Sequence, residues 1–266
     1  MPIVNNYYYD LSITTSLGRI LFMNSKSLYE KYHHNIKLQK RIIFFHDFTY
    51  RNTLIKINKY IPASGNVLDI GSATGTISFY LGSKGLNVDG IELSRHAVKY
   101  ANLNKQILKL NNVNFVNSSI ENYKTSKKYD LITCFEVLEH LKNDRMNLIK
   151  INKFMNINAI LAISVPSLNA PLYKLRLLNK FDEKVGHLRR YQMNEIKSIL
   201  YATGFNVIEE FKTEGILRSL LFTNKLFGFF IKFTRFKIIN NLISYIDNYT
   251  ISIFGESQLI LICKKK

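Results

Sequence analysis

Cysteine is scarce in this 266-residue chain: Cys134 and Cys263 stand alone, each inside an apolar run that reads as a buried strand. That excludes a disulfide framework and leads us to expect a reducing, cytoplasmic setting. Met1 to Asp10 lacks a basic region followed by an apolar core, so no signal peptide is expected. No uninterrupted apolar run reaches the roughly 18 residues that a spanning helix needs. Proline and glycine are few, at 4 and 12, and there is no internal repeat or low-complexity linker. Acidic residues are also short, 19 against 37 Lys and Arg, for a net charge of +18. Such an excess suits nucleic acid or an anionic membrane. The basic residues are spread rather than clustered, however, and Lys, Asn and Ile abound everywhere, as an AT-rich genome would produce. Charge alone therefore does not carry a nucleic-acid reading.

What remains is ordinary globular material, 47% apolar, enough to bury a sizeable core. Short apolar runs alternate with helical patterns. Strands are predicted at 66–70, 87–91, 113–116, 130–134, 159–165, 205–211 and 258–263. Helices are predicted near 76–84, at 94–110 (capped by Ser94), at 144–154 and at 193–203, the last ended by Gly204. Strands separated by helices mean βαβ units and a mostly parallel sheet with both faces covered. Upstream, Ser25–Tyr32 suits a short helix. Residues 39–60 read as one or two more, with Ile42, Phe45, Leu54, Ile57 and Tyr60 inward. Pro62 to Gly65 breaks the chain, so residues 1–61 form a helical cap and 62–266 the main domain.

The stretch Val67-Leu-Asp-Ile-Gly-Ser-Ala-Thr-Gly75 is a strand, a small-residue turn and a helix start, where a backbone can approach a ligand closely. Glu92 ends the second strand about twenty residues after Gly71. At that spacing a carboxylate can accept hydrogen bonds from both hydroxyls of a ribose. The dinucleotide fingerprint Gly-x-Gly-x-x-Gly is not met, because residue 73 is Ala and residue 76 is Thr.

The motif instead resembles the first motif of class I S-adenosylmethionine-dependent methyltransferases, with Asp69 as the acid that organises the loop. Tyr129-Asp-Leu-Ile-Thr-Cys-Phe-Glu-Val-Leu-Glu-His-Leu141 and Gly186-His-Leu-Arg-Arg-Tyr-Gln-Met-Asn-Glu-Ile196 resemble segments of ubiquinone-biosynthesis-type O-methyltransferases. The resemblance runs from about Arg51 to Val207. It implies a doubly wound, Rossmann-like α/β sheet of seven strands in the order 3-2-1-4-5-7-6, with strand seven antiparallel. It also implies S-adenosylmethionine as cofactor, contacted by Arg51, Asp69, Gly71, Ser72, Gly75, Glu92, Leu93, Ser119, Ile120 and Phe135. One departure stands out: the third-strand loop, Ser118-Ser119-Ile120, lacks the acid that usually meets the adenine amino group.

Glu136, Glu139 and His140 follow the fourth strand at helical spacing, and His187 comes from a later loop. Two carboxylates and two imidazoles suit a divalent cation, Mg²⁺ or Zn²⁺, and resemble the metal site of ubiquinone-type and small-RNA 2′-O-methyltransferases. A metal-free base at His140 and a purely structural Glu139–His140 pair stand as alternatives. His33-His34, His46 with Asp47, and Arg189 with Arg190 are weaker candidates, the arginines reading as exposed.

From Gly215 to Ile246 there is no acidic residue, while Phe and Leu alternate with Lys225, Lys232, Arg235 and Lys237. This insertion, about 214–250, packs as core with snorkelling cations, or else residues 218–240 make a peripheral membrane contact. The expected reaction is methyl transfer to a hydroxyl of a small-molecule, lipid-linked or glycan acceptor. Runners-up are an RNA 2′-hydroxyl, although no RNA-binding module is visible, and a non-catalytic scaffold of the same fold.

Overall fold

The computed structural model describes residue 30, residues 38–223 and residues 225–266. Among them, seven strands form one sheet: β1 (Asn66–Ile70), β2 (Asn87–Glu92), β3 (Val113–Asn117), β4 (Tyr129–Phe135), β5 (Met155–Pro166), β6 (Phe205–Thr213) and β7 (Gln258–Lys265). Their order is β3-β2-β1-β4-β5-β7-β6, as the resemblance implied. β7 runs antiparallel to β5 and β6, and the other pairs are parallel. The helices are α1 (Arg51–Ile57), α2 (Thr76–Gly82), α3 (Arg95–Leu108), α4 (Asp144–Phe154), α5 (Pro171–Lys174), α6 (Asn179–Val185) and α7 (Met193–Ala202). Between β6 and β7 come α8 (Ile216–Thr223), α9 (Lys225–Gly228), a 3-10 stretch Phe229–Arg235 and α10 (Lys237–Phe254).

Alternation along the strands sends side chains to two cores, one on each face of the sheet. Leu68, Ile70, Ile132, Cys134, Leu161 and Ile163 join Leu148, Ile151, Ile196 and Leu200 of α4 and α7. Val67, Leu131, Ala162, Ile260 and Ile262 join Leu54 and Ile57 of α1 and Phe79 and Leu81 of α2. Continuous apolar strands are what burial on both faces requires. Local signals place the helix ends. Ser94 Oγ accepts the Ala97 N–H at 3.1 Å to open α3. There the Glu30 carboxylate also takes the N–H groups of Arg95 (2.7 Å) and His96 (3.2 Å).

The N-terminal expectation needs correction. Residues 38–50 are not helical; the first helix of residues 38–266 begins at Arg51. Asp47 competes for the local backbone: its carboxylate accepts the Phe44 N–H at 2.6 Å and pairs with Arg41, a closed turn that a helix cannot share. The turn re-phases the inward residues. Ile43 and Phe48 are buried while Phe45 is exposed. Ile43 shares the core of α1 and the sheet. Except for Glu30, the helix expected over Ser25–Tyr32 and the pair His33-His34 lie outside the described residues.

Candidate active site

The carboxyl ends of β1, β2 and β4 meet where the strand order reverses, with β1 between β2 and β4. In open α/β sheets this is where ligands bind. Gly71, with φ at 72°, turns the chain sharply off β1, and a Cβ there would collide with Val137 Cγ2. Its N–H and that of Ser72 donate to the Ile91 carbonyl at 2.9 and 3.0 Å, tying the loop to β2. Ala73 is also left-handed, and Gly75, with φ at 90°, stands at the start of α2 against Phe79 and Phe115. Any side chain at Gly75 would meet those rings.

Glu92 is buried at the end of β2. One of its oxygens accepts the Ala73 N–H at 3.0 Å and the other the Ser94 N–H at 2.8 Å. The carboxylate thus braces the glycine loop against the start of α3, and burial raises its pKa despite those bonds. Asp69 is turned into the protein: Ser78 Oγ donates to it at 2.6 Å and Thr133 Oγ1 at 2.7 Å. Burial pushes its pKa up to about 6. It clamps β1 to α2 and β4.

The sharpest chemistry lies after β4. Glu139, in a 3-10 turn (Leu138–His140), is fully buried, and neither carboxylate oxygen has a hydrogen-bond partner among the described residues. Such a group needs a proton or a cation. Burial, and then the charge of Glu136, raise its pKa well above the usual carboxylate range. Nε2 of His140 and Nε2 of His187 each lie 3.7 Å from Glu139 Oε1, and the ring centroids are 4.9 Å apart. His140 Nδ1 lies 3.0 Å from the Gly186 carbonyl, and His187 Nδ1 lies 3.0 Å from Asp182 Oδ1. Both acceptors require Nδ1–H, so each ring presents its Nε2 to the carboxylate. Burial, then the charge of His187, push the His140 pKa down to about 4.

A carboxylate and two imidazoles, with ligand atoms within 4.8 Å of one another, fit a divalent cation with open coordination positions. The outer partners are present as well. Burial opposes ionisation of Asp182, but bonds from His187 and Arg190 outweigh it and hold its pKa low. Leu188 N–H donates to the Glu139 carbonyl at 2.9 Å, which pins the His187 loop to the turn.

The fourth expected ligand is not in this group. Glu136 is left-handed, with φ at 52°, which breaks the helical phase assumed for the segment. Its Oε1 accepts bonds from Ser164 Oγ at 2.8 Å and Gln258 Nε2 at 3.1 Å, across the ends of β5 and β7. Arg190 is buried rather than exposed and pairs with Asp182, while Arg189 pairs with Asp144. Asp47 is taken by Arg41, and the His46 carbonyl accepts Asn240 Nδ2. Arg51 begins α1 and donates to the Phe45 carbonyl.

Among the other expected contacts, Phe135 ends β4, half-buried, and the Leu93 carbonyl is held by Asn117. Ser119 turns the chain after β3, and the Ile120 side chain goes into the core. Sequence reasoning missed Asp182, Ser164, Gln258 and Gln39. The last accepts a bond from Thr76 at the start of α2 and donates its N–H to Asn104. Ser164, Gln258 and Gln39 acquire their roles from partners far along the chain, whereas Asp182 pairs with His187 and Arg190, five and eight residues on.

The chain has relatives in sequence and in fold. The chain is 30% identical over 114 residues to a ubiquinone biosynthesis O-methyltransferase of Rickettsia akari, a match covering 42% of this chain and 44% of that protein. It is 34% identical over 96 residues to an uncharacterized RNA methyltransferase of Mycoplasma mobile, covering 35% and 26% respectively. The matches therefore span less than half the length of these relatives. Among solved structures, the N-methyltransferase NodS of Bradyrhizobium japonicum, in complex with S-adenosylhomocysteine, superposes with a TM-score of 0.61. That superposition covers 91% of this chain and 99% of NodS at 14% identity, a likeness of fold. The family profile described as a methyltransferase domain matches residues 45–210, more than half the chain and all of the crevice from Arg51 to His187, and the chain belongs to that family.

Proposed function

We propose that the chain transfers a methyl group from S-adenosylmethionine to a hydroxyl oxygen of a small-molecule, lipid-linked or glycan acceptor. The cofactor part draws on the Gly71–Gly75 loop and the strand-end Glu92, whose carboxylate accepts two backbone bonds there and to which the proposal assigns the ribose hydroxyls. The acceptor part rests on one observation: a fully buried Glu139 with no hydrogen-bond partner among the described residues, faced by two imidazole nitrogens. In the transfer, the hydroxyl oxygen attacks the methyl carbon in line with the carbon–sulfur bond. That bond breaks, its electron pair stays on sulfur, and S-adenosylhomocysteine leaves. The hydroxyl proton must go elsewhere, and His140, neutral at physiological pH, takes it at Nε2. A divalent cation held by Glu139, His140 and His187 is the alternative to that base: it would take the same Nε2 as a ligand and supply a lowered hydroxyl pKa, the proton then passing to water. Asp182 and the Gly186 carbonyl keep both rings in the required tautomer.

A second reading, an RNA 2′-hydroxyl as acceptor, draws on the same three side chains and the net charge of +18. One experiment separates the acceptor classes: the protein is incubated with methyl-labelled cofactor and fractionated cell extract, with and without chelator. Label in a lipid or glycan fraction, lost with chelator and restored by Mg²⁺ or Zn²⁺, is expected. Label in RNA would favour the second reading, and label on amines alone would sink oxygen transfer. Calorimetry checks the cofactor step separately. Glu92→Ala should weaken S-adenosylmethionine binding roughly tenfold or more for each hydrogen bond lost.

A further inference from the structure

Helix α10 is built inside out. Its inward stripe is polar: Asn240, Ser244 and Asp247, three and four residues apart, are its buried side chains. Its outward stripe is apolar, with Ile238 82% exposed, Leu242 57%, Tyr245 76%, Tyr249 66% and Ile253 58%. A surface helix of a soluble domain shows the opposite arrangement.

Rotating the helix is barred by specific bonds. Asp247 accepts the N–H groups of Gly215 and Arg218, each at 2.9 Å. Asn240 Nδ2 donates to the His46 carbonyl at 2.7 Å. The Arg218 guanidinium lies between Ser244 and the Phe48 carbonyl and stacks 3.9 Å above the Phe48 ring. Turning α10 over would expose these bonds and bury nothing polar in their place. The apolar stripe is thus held outward by a buried polar network.

Charge indicates what the stripe meets. Asp247 is the sole acid in α10 and is buried, so the outward face carries no negative charge. The chain is free of acids from Gly215 to Ile246 and holds Lys225, Lys232, Arg235 and Lys237 over that interval. Exposed Phe230 extends the apolar surface just before the helix. No helix among the described residues is long and apolar enough to cross a bilayer. We propose that α10 lies in the plane of an anionic lipid surface, its Ile/Leu/Tyr stripe in the interface and the exposed Lys237 at its start on the headgroups. This does not depend on which acceptor is methylated, or on methyl transfer at all.

Flotation of the full chain with vesicles tests it. Vesicles of phosphatidylcholine mixed with phosphatidylglycerol should carry the protein up the gradient, and pure phosphatidylcholine should bind at least about tenfold less. High salt should weaken the association. Leu242→Asp with Tyr249→Asp should abolish it. Because those side chains are exposed, the thermal midpoint should stay within a few degrees, read by circular dichroism. Lys232→Glu with Lys237→Glu should weaken binding while leaving the apolar stripe intact. The proposal is overturned by no flotation of the wild type, by equal binding to neutral vesicles, or by unchanged binding in the aspartate variant. It is also overturned by a dimer in sedimentation that Leu242→Asp disperses, since a second copy would then own the face.

Discussion

Glu139 shows what a single buried carboxylate can reveal. Neither of its oxygens has a hydrogen-bond partner among the described residues, so its burial carries a cost that a bound cation or a proton relieves. Replacing it by leucine of similar volume should leave the urea midpoint unchanged or higher, yet lower methyl transfer by about 10²-fold or more. A large fall in stability would mean that Glu139 holds the fold. Glu214 offers a pH test. Its backbone is left-handed, with φ at 61°, and its carboxylate has no hydrogen bond or ion pair among the described residues. Burial raises its pKa from 4.5 to about 7, only partly opposed by the charge of Arg218. The folded state therefore favours the proton. The stabilisation is complete below 4.5 and is lost as pH rises through about 7. Glu214→Gln should flatten the fall in unfolding midpoint across that interval, and a variant with the wild-type profile would refute the assignment. Residues such as Glu92, His140 and His187 were legible because their chemistry is rare and their spacing is informative. Asp182 was not, because an aspartate on a short helix gains meaning only once His187 and Arg190 fold onto it.

Among elements, the strands were readable because a sheet covered on both faces needs apolar runs; 259–263 is one, and 67–70 is broken only by Asp69. The glycine loop was readable for a conformational reason, and the structure makes that reason testable. Gly71→Ala must hold φ near 72° and displace Val137, so it should destabilise by about 1–3 kcal/mol and weaken cofactor binding together. An unaffected melting temperature with normal binding would show the loop to be more yielding. Of the helical stretch expected over residues 39–60, the part before Arg51 failed because helical periodicity cannot register that Asp47 will close a turn with Arg41 and Phe44. The segment from Glu136 failed for a similar reason: one left-handed residue redirects its side chain to Ser164 and Gln258, on strands that the local spacing does not contain.

For the whole molecule, both cysteines mark the sheet interior. Cys134 and Cys263 are fully buried in β4 and β7, and burial drives both thiols far above their ordinary pKa. The native protein should therefore be inert to a thiol reagent at mild alkaline pH. Both thiols should react together only as the sheet opens, with a rate that follows global unfolding. Reaction of one thiol in native conditions would reveal a strand that opens by itself.

Local chemistry determined a good deal unaided: the strand–turn–helix at 66–82, the carboxylate closing β2 and the alternation that commits the chain to a doubly wound sheet. These follow from backbone sterics and short-range burial, which neighbouring residues decide among themselves. Tertiary structure alone decided that Glu136 leaves Glu139, His140 and His187, and that α10 faces its apolar stripe outward. A helical period states that two faces differ. Which one meets the protein depends on where Gly215, Arg218 and His46 arrive, and that is settled only when the whole sheet has assembled.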